Sequence, residues 1–168
     1  MLALLPPPHV AAAAPVPAPP SRYGFAEAWL GETLAEWRAS RPVRAKAPCA
    51  AAPGDHAVLV CRGVDVDLGG GYAARELSYA FVDGRLARIS FRTSIDGFDH
   101  VTAALKKDFS TPSQIVRDSL GATGRPHVSM TWRNGRSTIV LSDPLPDFTY
   151  LSVRFTFDAL AGRLPKAG

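Results

Sequence analysis

Two turn signals, each set between alternating apolar residues, constrain the fold of this 168-residue chain more than any other feature of its sequence. Asp83-Gly84 follows Leu77-Ser78-Tyr79-Ala80-Phe81, and Asn134-Gly135 follows Val128-Ser129-Met130-Thr131-Trp132. Asp-Gly and Asn-Gly favour the tight turns of β-hairpins, and alternation with a period of two is typical of strands that bury one face. The sequence therefore predicts two antiparallel hairpins, each with an apolar side and a polar side.

The parity of the apolar positions predicts how each hairpin turns. The first hairpin has six apolar residues at odd positions, namely Leu77, Tyr79, Phe81, Ala87, Ile89 and Phe91. A two-residue turn would divide them between both faces, so we expect a bulged three-residue loop, Val82-Asp83-Gly84. In the second hairpin the parity changes between Trp132 and Ile139, so a two-residue Asn134-Gly135 turn of type I′ keeps the apolar residues together. A last strand is predicted over residues 150–157.

Two amphipathic helices are predicted, one before each hairpin. Thr33 and Glu36 have the spacing of a capping box, and Pro42 ends a helix of about two turns. Asp96 is the expected cap of the second helix, and Pro112 lies beyond its end. An apolar stripe runs along this second helix at Phe98, Val101, Leu105 and Phe109.

The order helix, strands, helix, strands predicts an α+β fold of two layers, with both α-helices packed on one face of an antiparallel β-sheet. A single domain is expected over residues 22–164. Both hairpins contain the pattern aromatic-x-(Asp/Asn)-Gly-Arg, at residues 81–85 and 132–136. Internal duplication explains this pattern, and so does convergence of hairpin turns.

Residues 1–21 contain no charged side chain, and seven of the 15 prolines lie within residues 1–20. The four alanines of residues 11–14 offer cleavage sites of the kind that end a secretory signal, but no basic residue precedes them. Two interpretations are open: a truncated signal peptide, or a disordered Pro/Ala leader. Neither contributes to the fold, because Pro/Ala tracts stay extended.

Cys49 and Cys61 are the only cysteines, and they enclose a turn signal at Pro53-Gly54-Asp55. They lack the partners of a metal site and the spacing of a redox motif. We expect a structural disulfide, with two reduced core thiols as the alternative. A disulfide requires an oxidising compartment, so together with the leader it predicts a periplasmic or secreted protein.

Four features follow one another along the chain: a Gly-x-Thr-x-x-Glu-Trp motif at residues 31–37, the cysteine pair, the Phe-Val-Asp-Gly-Arg-Leu hairpin of residues 81–86 and an amphipathic helix. This pattern, over residues 31–157, resembles small exported bacterial proteins of unknown function. It is distantly similar to the SmpA/BamE-type and beta-lactamase-inhibitor-type α+β modules, which work by protein–protein contact. The resemblance implies a binding function but assigns no functional residue. No lipid anchor is expected, because no cysteine follows the leader.

Several chemistries find no support in the sequence. The four histidines (His9, His56, His100 and His127) are scattered, no Gly-x-Ser-x-Gly elbow occurs, and no metal-ligand spacing is found. We therefore predict no catalytic residue, no metal and no cofactor, and we expect His100 to be solvated. No stretch reaches the roughly 20 apolar residues of a membrane span. A net charge of +4, with Tyr150 as the one aromatic residue expected to be exposed beside the polar side of the sheet, does not favour nucleic acid.

The polar side of the predicted sheet carries arginine with serine and threonine, and no Asp or Glu. Its arginines include Arg88, Arg92, Arg133 and Arg154. Guanidinium groups bind carboxylates and phosphates through forked donors, so this face could bind an acidic protein or envelope component. A merely solvated sheet face is the alternative. Two further hypotheses are a small hydrolase or transferase with a site between helices and loops, and a ligand carrier with a cavity beneath Trp37, Phe98 and Trp132.

Overall fold

The computed structural model describes residues 22–53, 55–119, 126–143 and 149–165, so the leader lies outside the described residues. Its helices are α1 (Leu34–Ser40), α2 (Pro42–Ala45) and α3 (Phe98–Phe109), with 3₁₀ segments at Ile95–Gly97 and Asp158–Arg163. Its strands are β1 (Gly24–Phe25), β2 (Ala28–Trp29), β3 (Cys49–Ala52), β4 (Asp55–Arg62), β5 (Val66–Gly69), β6 (Tyr72–Val82), β7 (Arg85–Ser94), β8 (Gln114–Ser119), β9 (Pro126–Arg133), β10 (Ser137–Ser142) and β11 (Tyr150–Phe157).

One large antiparallel sheet runs through the described residues in the order β3-β4-β6-β7-β11-β10-β9-β8, and β5 pairs with β6. Strands β1 and β2 form a separate small hairpin. The two predicted hairpins are β6–β7 and β9–β10, and β11 joins them by pairing with β7 and β10. Helices together with an antiparallel sheet confirm the α+β class.

The predicted three-residue loop of the first hairpin is wrong. Val82 pairs with Arg85, so the turn contains only Asp83 and Gly84, whose φ angles are 50° and 72°. The bulge lies further along β7, where Phe81 pairs with Leu86 and Ala80 with Arg88. Ala87 is the extra residue and is buried beside Ala80 and Val82 on the other side of the sheet. Packing decided this arrangement, because Leu86 fills the place expected for Ala87.

The second hairpin has its apolar residues on one face, as predicted, although its turn lies one position later. Trp132 pairs with Ile139 and Met130 with Leu141, and all four side chains belong to one buried cluster. The Oδ1 atom of Asn134 accepts hydrogen bonds from the backbone N–H groups of Arg136 and Ser137, at 3.0 and 2.8 Å. These bonds favour a turn through Gly135-Arg136 instead of Asn134-Gly135. The shift leaves parity unchanged, so the face is preserved.

Side chains of α1 and α3 pack against this buried cluster. The capping box of α1 is present, since Glu36 N–H donates to the Thr33 hydroxyl and Thr33 N–H donates to the Glu36 carboxylate. Trp37 of α1 is fully buried against Tyr79 and Phe81, and Phe109 at the end of α3 lies edge-on to Phe155.

The predicted cap of α3 is wrong, as is the solvated position expected for His100. Gly97 precedes α3 without a side-chain cap, while Ser94 caps the preceding 3₁₀ turn by accepting from Asp96 N–H. The Nε2 atom of His100 lies 2.8 Å from the carbonyl oxygen of Leu68, so its ring links α3 to β5.

The C-terminal segment covers part of the sheet face that was expected to be open. Leu164, which follows the last 3₁₀ segment, is buried in a cluster with Val58, Ala80, Val82 and Ala87. The bulge in β7 places Ala87 in this cluster and so adds apolar area to the polar side of the first hairpin. The polar face of the sheet is therefore not wholly exposed to solvent, because the C-terminal segment covers its end.

Cys49 and Cys61 form the predicted disulfide, and they lie directly opposite each other in the β3–β4 pair. The bond links the edge strand β3 to β4. Within the described ranges, no helix is both long enough and apolar enough to cross a bilayer.

Candidate functional site

The structure places three of the four predicted binding arginines close together on the face opposite the helices. Arg88 pairs with Thr156, Arg154 with Ser90, and Arg92 with Ser152. Arg154 on β11 is therefore the diagonal neighbour of both Arg88 and Arg92 on β7, a spacing that long side chains span. We call Arg88, Arg92 and Arg154 the arginine cluster. Arg133 is exposed in the same row as Arg88 but three strands away, at about 14 Å.

Arg88 and Arg154 lack a carboxylate partner among the described residues. Both side chains are half-buried, and the Nε atom of each is buried without an acceptor. The terminal nitrogens of Arg88 donate to the carbonyl oxygen of Pro165, at 3.3 and 3.4 Å. Burial, and secondarily the positive charge of Arg154, lowers the pKa of Arg88. Two repelling, partly desolvated cations are stabilised when an anion binds between them.

Arg92 differs from its two neighbours because it already has partners. Its guanidinium lies 3.1 Å from the carboxylate of Glu76 and 4.3 Å from the ring centroid of Tyr150. Glu76 has a φ of 52° and follows Arg75 at an irregularity in the β6–β7 register. The expectation that this face has no acidic residue is therefore wrong. Glu76 lies at an irregularity in the β6–β7 register, where alternation along the strand no longer predicts which face a side chain is on.

Hydroxyl groups complete the face around the cluster. The Oγ atoms of Ser78 and Ser90 lie 2.8 Å apart, and the hydroxyl of Thr138 donates to Asp158 at 2.9 Å. Arg75, which was not predicted from the sequence, is exposed and lies opposite Arg92 in the register of β6 and β7. The register of β6 around its irregularity is what adds this arginine, and no local signal in the sequence indicates it.

The hypothesis of a ligand carrier places one cavity beneath Trp37, Phe98 and Trp132. A cavity of about 300 Å³ does adjoin Trp37, but it extends towards α2 and β4, and neither Phe98 nor Trp132 lines it. Trp132 instead donates through Nε1 to the carbonyl oxygen of Ser110, at 2.9 Å.

The enzyme hypothesis requires a histidine, an acid and a nucleophile in one place. The Nδ1 atom of His127 lies 2.6 Å from the buried carboxylate of Asp143, which also accepts from Val128 N–H at 2.8 Å. No described hydroxyl or thiol hydrogen-bonds to this pair. Nor do the described residues contain three or more His, Cys, Asp or Glu side chains grouped to bind a metal ion.

In comparisons with known proteins, no family model, no curated protein and no solved structure matches the chain. The class that the fold and site define is thus an antiparallel α+β protein with an arginine cluster on one face of its sheet.

Proposed function

We propose that this chain is a non-catalytic, exported module that binds an acidic protein segment through the arginine cluster. The observation that carries the proposal is the adjacency of Arg88 and Arg154, which have no carboxylate partner among the described residues. A carboxylate between the two guanidinium groups would accept charge-assisted hydrogen bonds and relieve their repulsion.

An acidic protein segment fits this face better than an anionic membrane surface. Serine and threonine hydroxyls lie beside the arginines in the strand registers, and they can hydrogen-bond to peptide groups as well as to carboxylates. A lipid surface favours cations next to exposed apolar side chains. On this face the apolar side chains Ala80, Val82 and Ala87 are buried under the C-terminal segment.

Fluorescence anisotropy with a labelled peptide of alternating Glu and Thr, and with its Gln counterpart, tests the proposal. We expect the Glu peptide to bind about tenfold or more tightly than the Gln peptide, because charge-assisted hydrogen bonds are lost in the neutral version. Binding should weaken as salt is added. Arg154→Gln should reduce the affinity for the Glu peptide about tenfold.

Arg117→Gln is the matched control, because Arg117 is exposed but lies opposite Val128, on the side of the sheet that faces the helices. This variant should bind the Glu peptide as the parent does. Equal affinity for the Glu and Gln peptides, or equal loss in the Arg154 and Arg117 variants, would contradict the proposal. Binding to anionic vesicles but not to the Glu peptide would contradict the choice of partner.

Export is the second part of the proposal, and the disulfide supports it, since such bonds persist in oxidising compartments. Mass spectrometry of the mature protein, recovered from the envelope and culture medium without reduction, tests this part. We expect a chain that lacks the leader and two hydrogens. A protein found only in the cytoplasm, with residues 1–21 attached and both thiols reduced, would refute export.

A further inference from the structure

The cavity beside Trp37 has an apolar floor and an apolar rim. Its floor includes Trp37, Leu77 and Tyr79, which are all buried in the core. Its rim includes Val43 and Val64, which are 48% and 55% exposed and are two of the four large apolar side chains that the described residues leave exposed. At about 300 Å³ the cavity is at the lower end of the size range of ligand sites, which suits a small molecule.

Arg44 is buried in the wall of this cavity without a carboxylate in contact. It is only 5% exposed, and its guanidinium carbon lies 5.6 Å from the ring centroid of Trp37 and 5.5 Å from that of Tyr79. Its terminal nitrogens donate to the carbonyl oxygens of Ala26 and Glu27 and to the hydroxyl of Ser40. All three acceptors are neutral. The carboxylates of Glu27 and Glu32 are near enough to interact electrostatically with Arg44, but neither forms an ion pair with it, so a bound anion would be its direct partner.

The remaining polar groups of the lining have the same sign of charge. Arg41, Lys46 and Arg62 join Arg44 there, and no Asp or Glu occurs among the described lining residues. The carboxylate of Glu27 is bonded to Arg41 at 2.5 Å. The indole N–H of Trp37 is also buried without an acceptor. Four cations, of which Arg41 alone is paired with a carboxylate among the described residues, surround an apolar floor. This arrangement favours a ligand with a negative head and a hydrocarbon body.

We propose that this cavity binds a small amphiphilic carboxylate, with its head group against Arg44 and its alkyl chain on Trp37, Leu77 and Tyr79. The proposal is independent of the arginine cluster, because the cavity lies on the side of the sheet that the helices contact. Arginine recognises a carboxylate through forked N–H donors, and the alkyl chain would cover the exposed rim valines.

Isothermal titration calorimetry with decanoate, decanol and decyltrimethylammonium, each below its aggregation concentration, tests the charge preference. Decanoate should bind saturably at one site, about tenfold or more tightly than decanol, and the cationic amphiphile should not bind. Arg44→Gln should weaken decanoate binding by about tenfold or more. Equal binding of decanoate and decanol, or no saturable decanoate binding, would overturn the proposal.

Substitutions at Val64 keep the test decisive if Arg44→Gln fails to fold. Val64 is 55% exposed, so Val64→Asp and Val64→Lys should both fold, while placing opposite charges at the mouth of the cavity. Val64→Asp should weaken decanoate binding and Val64→Lys should not, whereas Ile115→Asp, at an exposed position on β8, should have no effect. Identical affinities in the two Val64 variants would overturn the proposal. So would co-sedimentation with phosphatidylglycerol vesicles that Val64→Asp abolishes, because the ligand would then be a lipid surface.

Discussion

The Cys49–Cys61 disulfide offers the most quantitative test of the structure. Replacing both cysteines by alanine opens a loop whose ends are 12 positions apart. In the chain-entropy model a loop of this size restricts the unfolded chain enough to stabilise the fold by about 3 kcal/mol. For a domain of this size, that loss corresponds to a fall in Tm of roughly 6–12 °C.

The effect of this substitution should concentrate in β3. Ala50 and Ala51 are exposed, so β3 contributes little apolar burial of its own and depends on its pairing with β4. Without the crosslink we expect β3 to separate from β4 before the rest of the sheet unfolds. Hydrogen exchange should then accelerate at the amides of β3 while the amides of β7 and β11 stay protected.

Urea denaturation of the oxidised protein, the reduced protein and the double alanine variant measures the effect. The reduced protein is the control, because it keeps the sulfur of Cys61, which is fully buried, and so separates the crosslink from packing. A difference of less than about 1 kcal/mol between oxidised and reduced protein would refute the reasoning, since it would mean that the crosslink does not restrict the unfolded chain.

Two further predictions concern buried groups away from the disulfide. Burial raises the pKa of the Glu32 carboxyl, so its contribution to stability is present at low pH and is lost as the pH rises through the folded-state pKa. Glu32→Gln can keep the 3.1 Å hydrogen bond from Trp29 N–H, so this variant should be more stable than the parent near neutral pH. In urea titrations the gain in the free energy of unfolding should vanish at about pH 4. A gain that does not change with pH would contradict this prediction. Leu164→Ala should lower the free energy of unfolding by about 2 kcal/mol and expose the C-terminal segment to proteolysis. Leu160→Ala, at a half-buried position, is the control and should have a smaller effect. Equal effects of the two substitutions would argue against packing of the C-terminal segment on the sheet.

The sequence predicted those features that depend on near neighbours. The capping box at Thr33 and Glu36, the strand over residues 150–157 and the apolar face of β9–β10 all follow from spacing within a few residues. The internal duplication of the two hairpins stays a prediction. So does the binding role of Arg88, Arg92, Arg133 and Arg154.

Prediction from the sequence was wrong where two neighbouring residues could each occupy the same buried position. Leu86 and Ala87 are both apolar, so parity alone could not say which of them faces the helices. Burying the larger side chain under the helices placed the bulge at Ala87 and brought Leu164 onto the opposite face. Neither outcome can be read from the alternation of residues along one strand.

The sequence by itself determined that the sheet has an apolar face and, opposite it, a polar face that carries arginines, because alternation along a strand is a property of the local backbone. Only the tertiary structure decided that β11 would bring Arg154 between Arg88 and Arg92, since strand order depends on contacts between distant segments. The same holds for Arg44. Its guanidinium donates to carbonyl oxygens of the β1–β2 turn, which is distant from α2 in the sequence.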